Sequence, residues 1–177
     1  MTIEFDLAGL HLSFVRPVVD ALRGLDADYP GNPLRRVELY RSAGDESMGN
    51  SDRPGVISLN ARWFSRPIDE LREASRDQDL VHLRGGDLVL PWHGGMEEPN
   101  HVLSHEFGHQ LQATTPWWRG FAEPHWRASC LDPIHQRPVS GYALNDPEEF
   151  WADTFAAMRL GVAREITRLM RERFGRA

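Results

Sequence analysis

The sequence predicts an α+β domain, because short segments with strand character gather in its first half and longer segments with helical apolar spacing in its second. Clusters of glycine and proline separate them. Residues 7–25 carry Leu10, Phe14, Val18, Val19 and Leu22 at helix-like spacings, with Pro17 marking a kink or a helix start. Residues 29–33 form a turn, and residues 37–40 read as a short strand. The polar segment 42–54 reads as a loop, 55–60 as the next strand and 68–75 as a short helix. Residues 87–92, bracketed by Gly85-Gly86 and Gly94-Gly95, read as a strand, and Pro91 near its end points to an edge position. One helix is expected over residues 100–114, ending before Pro116. A second begins at Asp146-Pro147 and runs toward Leu160, and more helix is expected over 162–173.

A length of 177 residues suits one compact domain spanning 1–177. The net charge of −6 argues against nucleic acid or an anionic membrane as partner. Cys130 is the single cysteine, so no internal disulfide can form, which fits a reducing compartment. The N-terminal residues lack the pattern of a secretory signal, and no apolar run approaches the roughly 20 residues needed to cross a bilayer. The expectation is a soluble, cytoplasmic protein, with export by a route that needs no signal peptide as the alternative.

The chemistry concentrates in His105-Glu106-Phe107-Gly108-His109, an H-E-x-x-H pattern. On a helix, residues four apart share a face, so both imidazoles reach one ion. Glu106 follows the first histidine and is placed to take a proton from water activated by zinc. Leu103, Phe107 and Leu111 form an apolar stripe on the other face, suited to the core. Gly108 costs roughly 1 kcal/mol inside a helix, a sign of close packing there.

A catalytic zinc takes three protein ligands. The metzincin pattern, with a glycine and then a histidine after the second histidine, is excluded by Gln112 and Thr115. Glu123, His125 and His135, in a proline-rich loop, remain candidates on spacing alone. So does the helix that begins at Asp146, its N-cap, with Pro147 as first residue. There Glu149 is placed to bind the metal and Asp153, one turn on, to orient a histidine. Equally, Asp146 and Glu149 fit a capping box with Asp153 in solvent.

These residues resemble the gluzincin metallopeptidases, and more narrowly the group of the anthrax lethal factor catalytic domain and the Pro-Pro endopeptidases. That group pairs a HE[FL]GH-type helix with a downstream tyrosine and an E-F-F-A-E-like helix. Here the matching residues are 105–109, then Tyr142, then Glu149-Phe150-Trp151-Ala152-Asp153. The resemblance implies one Zn2+ per chain held by His105, His109 and Glu149. It makes Glu106 the general base, Tyr142 the donor to the oxyanion, and Asp153 the residue behind a liganding histidine. It covers residues 102–158. Asp153 is shorter than the group's glutamate, and Trp151 stands where the group has phenylalanine. The implied fold is zincin-like: a small twisted sheet with an edge strand, an active-site helix and a second, ligand-bearing helix.

The expected activity is zinc-dependent endopeptidase, its partner a peptide or protein substrate paired along the edge strand 87–92. Two other readings fit the same residues, a catalytically silent binding or scaffold module and a toxin or effector protease domain. Trp117, Trp118 and Phe121 read as a loop after the metal helix, packing or lining a side-chain pocket. His93, His101, His125 and His135 read as surface or loop histidines, and Cys130 as a buried small apolar residue.

Overall fold

Parallel strands need a crossover long enough to bring the chain back, and the N-terminal segment supplies one. β1 (Glu4–Asp6) leads into α1 (Leu12–Asp28), which returns the chain to β2 (Arg36–Tyr40), parallel to β1. The computed structural model describes residues 3–42, 44, 47–71, 73, 81–82, 89–90 and 99–174. α1 buries Phe14, Val18, Ala21, Leu22 and Leu25 along one face, and the His11 side chain caps it by accepting from the Ser13 N–H. The helix runs through Pro17 rather than starting there. The proline forfeits one backbone bond near the N-terminus, and the buried stripe on both sides of it holds the helix.

β4 (Val56–Asn60) lies parallel to β2, and β3 (Gly49–Asn50) pairs antiparallel with β4, giving the order β1-β2-β4-β3. β3 therefore forms one edge of a small mixed sheet. It falls inside the segment expected to be a loop. Two residues, Gly-Asn, offer no alternation to read, and their strand geometry comes from partners Leu59 and Ser58. β5 (Val81–His82) and β6 (Val89–Leu90) form a separate antiparallel pair. Of the expected edge strand 87–92 only 89–90 are described, paired with β5. The remainder, with His93 and the flanking glycine pairs, lies outside the described residues.

After the short α2 (Ala61–Phe64), a helical turn at 68–71 and the β5–β6 pair, the chain from residue 99 to 174 is mostly helical. α3 (Pro99–Gln112) and α6 (Pro147–Arg159) pack against each other, with α1 against α3 and α7 (Glu165–Phe174) against α6. Leu103, Phe107 and Leu111 of α3 are buried as expected, as are Phe150, Phe155 and Met158 of α6. The result is mixed α/β. Among the described residues, no helix is long and apolar enough to cross a membrane.

The segment after α3, expected to be a loop, is helical over α4 (Trp118–Leu131) and α5 (Pro133–Gln136). Pro124 lies inside α4, and tertiary packing overrides it: Phe121 and Ala122 are buried, α4 packs on α6, and Trp126 Nε1 donates to the Leu144 carbonyl at 3.1 Å. Trp117, Trp118 and Phe121 gather around the fully buried Trp151, with ring centroids 5.3, 6.4 and 6.3 Å away. They pack behind α6.

Candidate metal centre

α3 sets His105 and His109 one turn apart, and their Nε2 atoms lie 3.2 Å from each other. α6 supplies the third group. Its N-cap is Asp146, whose carboxylate accepts the Glu148 and Glu149 N–H groups at 2.8 and 2.9 Å, and Pro147 is its first residue, as the sequence predicts. The Glu149 side chain brings Oε2 to 3.0 Å from His105 Nε2 and 3.5 Å from His109 Nε2. Oε2 is buried and meets neither imidazole in hydrogen-bonding geometry.

Two features let α6 come this close. Gly108 leaves no side chain between the helices, and Trp151 Nε1 donates to the Gly108 carbonyl at 2.8 Å. The close packing read from Gly108 in the sequence is thus present, and it brings Glu149 beside the two histidines.

Behind His105 lies Asp153, fully buried rather than solvated. Its Oδ1 is 3.3 Å from His105 Nδ1 and 3.3 Å from His101 Nε2, and its Oδ2 accepts from the Ser140 hydroxyl. A carboxylate only accepts, so the His105 nitrogen facing it carries the proton and Nε2 is the atom left to bind an ion. Ser140 Oγ also accepts the Ala143 N–H at 3.0 Å, fixing the 3₁₀ turn Tyr142–Leu144. Tyr142 opens that turn, its ring centroid 5.7 Å from that of His105.

Burial by itself would lower the pKa of His105, but the Asp153 and Glu149 carboxylates outweigh it and push it up to about 10. Burial would likewise raise Glu149, yet the adjoining His105 and His109 pull it down to about 2, so it stays ionised. Asp153 is held well below the usual carboxylate range by His101 and His105 despite the same penalty. Burial raises Glu106, while His105 and His109 draw it back. Burial also raises Tyr142, and the Glu149, Glu106 and Asp153 charges add to it, so the phenol keeps its proton.

Glu106 is buried beside β3: a Cβ on Gly49 would lie 2.8 Å from Glu106 Oε1 and 2.9 Å from its Cγ. Among the described residues, β3 is a sheet edge that flanks this carboxylate. Gln110, one residue past His109, ties the β3–β4 connection to α3. Its Oε1 accepts the Gly55 N–H at 2.6 Å, and its Nε2 donates toward the carbonyls of Ser51, Arg53 and Val56 at 2.8, 3.0 and 3.1 Å.

Among the other candidates, Glu123 and His125 sit on α4 and His135 on α5, and none joins the cluster. His135 is exposed and paired with Asp132 at 2.7 Å. His125 packs its ring 4.9 Å from that of Phe121. Cys130, near the end of α4, is exposed rather than buried, and its Sγ donates to the Leu144 carbonyl at 3.8 Å. His101, read as a surface or loop histidine, is buried with 2% exposure. Its signal was in the sequence: His101, His105 and His109 recur every four residues, which puts all three on one helix face.

Among the described residues, two groups of side chains can hold a metal ion, each with its ligand atoms within 4.8 Å of one another: His105, His109 and Glu149, and His101, His105 and Asp153. No family model, curated protein or solved structure matches the chain.

Proposed function

We propose that the chain is a zinc-dependent endopeptidase of the zincin type, with His105, His109 and Glu149 as the metal ligands. The observation that carries this reading is the spacing of the three donor atoms. Ligands 2.0–2.1 Å from a tetrahedral zinc stand about 3.3 Å apart. The pairs here measure 3.0, 3.2 and 3.5 Å. Two imidazoles and one carboxylate are also a donor set of catalytic zinc sites, which keep a further position open. The unsatisfied Glu149 Oε2 supports the same assignment, since a bound cation gives that buried oxygen a partner.

Zinc held by these three residues would supply Lewis acidity, enough for a water to lose a proton near neutral pH. Glu106 accepts that proton as the water oxygen adds to the peptide carbonyl carbon. It then passes the proton to the departing amine nitrogen as the C–N bond breaks. The Tyr142 hydroxyl, kept protonated, donates to the oxyanion that forms on the former carbonyl oxygen. Asp153 holds His105 in the required orientation. A peptide substrate extends along β3, the described sheet edge that flanks Glu106. Glu106 and Tyr142 beside the ligands favour an active enzyme over a silent scaffold.

The test is zinc content and peptide-library cleavage for the wild type, Glu106→Gln and Glu149→Ala. We expect one zinc per wild-type chain, a Glu106→Gln protein that keeps zinc and loses cleavage, and a Glu149→Ala protein whose affinity drops by more than about 100-fold, beyond what loss of an outer-shell partner causes. Cleavage that persists in Glu106→Gln would end the peptidase reading, and unchanged affinity in Glu149→Ala would remove Glu149 from the ligand set.

A further inference from the structure

We propose that His101 is a positioning residue of the metal centre, acting on His105 through the carboxylate that the two histidines share. It rests on the zinc reading for the identity of the ion alone. His101 precedes His105 by one turn of α3 and brings its Nε2 to 3.3 Å from Asp153 Oδ1, the oxygen that also lies 3.3 Å from His105 Nδ1. The two rings stack at 27° with centroids 6.1 Å apart, so their edges meet the carboxylate side by side.

The chemistry of Asp153 explains why the second histidine matters. A carboxylate with no exposure to water keeps its charge and its place only when donors surround it. Ser140 donates to Oδ2 and His105 Nδ1 to Oδ1, while His101 Nε2 stands 3.3 Å from that same oxygen without the alignment of a hydrogen bond. Without His101, Oδ1 has His105 alone beside it, and the carboxylate is free to shift. That shift loosens the His105 ring and with it the direction of Nε2. His101 thus fixes a ligand that it does not touch.

The same atoms also form the second potential metal group, but geometry favours positioning. A second ion there would need His105 Nδ1 as a ligand while Nε2 binds the first. That requires a doubly deprotonated imidazole in a buried pocket. It would also displace the hydrogen bond from Nδ1 to Asp153.

The experiment separates the ring from its N–H donor in the full-length chain. His101→Phe keeps the packing and removes the donor; His101→Gln restores a donor near the position of Nε2. Zinc affinity is read by chelator competition, and ligand geometry by the visible absorption of the cobalt-substituted protein. We expect His101→Phe to bind zinc about 10- to 100-fold more weakly with altered cobalt bands, and His101→Gln to recover most of that loss. Wild-type affinity and bands in His101→Phe would overturn the proposal, as would two ions per wild-type chain. Should His101→Phe fail to fold, nitrogen-15 NMR of histidine-labelled wild type decides: a protonated His101 Nε2 supports the role, and a bare one overturns it. A wild-type chain that takes up no zinc would fail the zinc reading alone, and the same spectrum of the metal-free chain would then judge His101.

Discussion

Gly108 on α3 and Ala152 on α6 stand so close that a Cβ on the glycine would lie 3.0 Å from the alanine Cα and 3.3 Å from its carbonyl oxygen. This contact, with the Trp151–Gly108 hydrogen bond beside it, brings Glu149 to the histidines. Gly108→Ala gains roughly 1 kcal/mol of helix propensity and meets an overpacking cost of about 1–3 kcal/mol. The obstructing atoms are backbone of a buried helix and yield little, so a net loss of up to about 2 kcal/mol is expected. As α6 shifts, zinc affinity falls with it. Urea denaturation and chelator competition check the two effects. A variant as stable as the wild type and with the same affinity would show that the helices do not need this contact.

α3 and α6 were legible because their apolar stripes, Leu103-Phe107-Leu111 and Phe150-Phe155-Met158, follow the helical period. The cap at Asp146-Pro147 also marks a start in local chemistry alone. The features that escaped depend on contacts distant in sequence. Pro124 argues locally against α4, and only the packing around Trp151 offsets it. β3 is a strand because β4 is beside it. Ser140 has nothing around it in sequence to suggest that its hydroxyl reaches Asp153, thirteen residues on. Spacing left Asp153 open to a place in solvent or beside a histidine, and the structure buries it against His105, through a helix approach that Gly108 permits.

Zinc uptake should release protons and weaken in acid. In the metal-free chain His105 has its pKa pushed up to about 10 by Asp153 and Glu149 against the effect of burial, so at neutral pH an incoming ion must displace a proton from it. Apparent affinity should rise about tenfold per pH unit for each proton displaced, between roughly pH 6.5 and 9. The stability of the metal-free fold follows the opposite sense. A pKa raised in the folded state contributes stability fully below the unfolded value of about 6.5, and that contribution fades as pH climbs toward 10. Calorimetric titration in buffers of different ionisation enthalpy counts the protons. A pH-independent affinity with no proton release would mean that His105 is already neutral and that its carboxylate neighbours do not govern it.

The Gln110 clamp should separate the two halves of the site. One side-chain amide satisfies the Gly55 N–H and draws in two carbonyls of the β3–β4 connection and that of Val56 at the start of β4, while His109, the adjacent residue on α3, is a proposed ligand of the ion. Gln110→Leu keeps the volume and leaves these backbone groups without their partner. With partial access to water, a loss of about 2–4 kcal/mol is expected, given roughly 1–3 kcal/mol for each buried group left unmet. Gln110→Glu should do more harm, since it sets an acceptor against three carbonyl oxygens. Neither change touches His105, His109 or Glu149, so zinc affinity should hold while β3 loses its place beside Glu106. Hydrogen exchange read by mass spectrometry should therefore quicken over residues 49–56 in the zinc-loaded variants, and peptide cleavage should fall with it. Unchanged exchange in that segment would show that strand pairing with β4 alone keeps the edge in place and that the amide contributes only to packing.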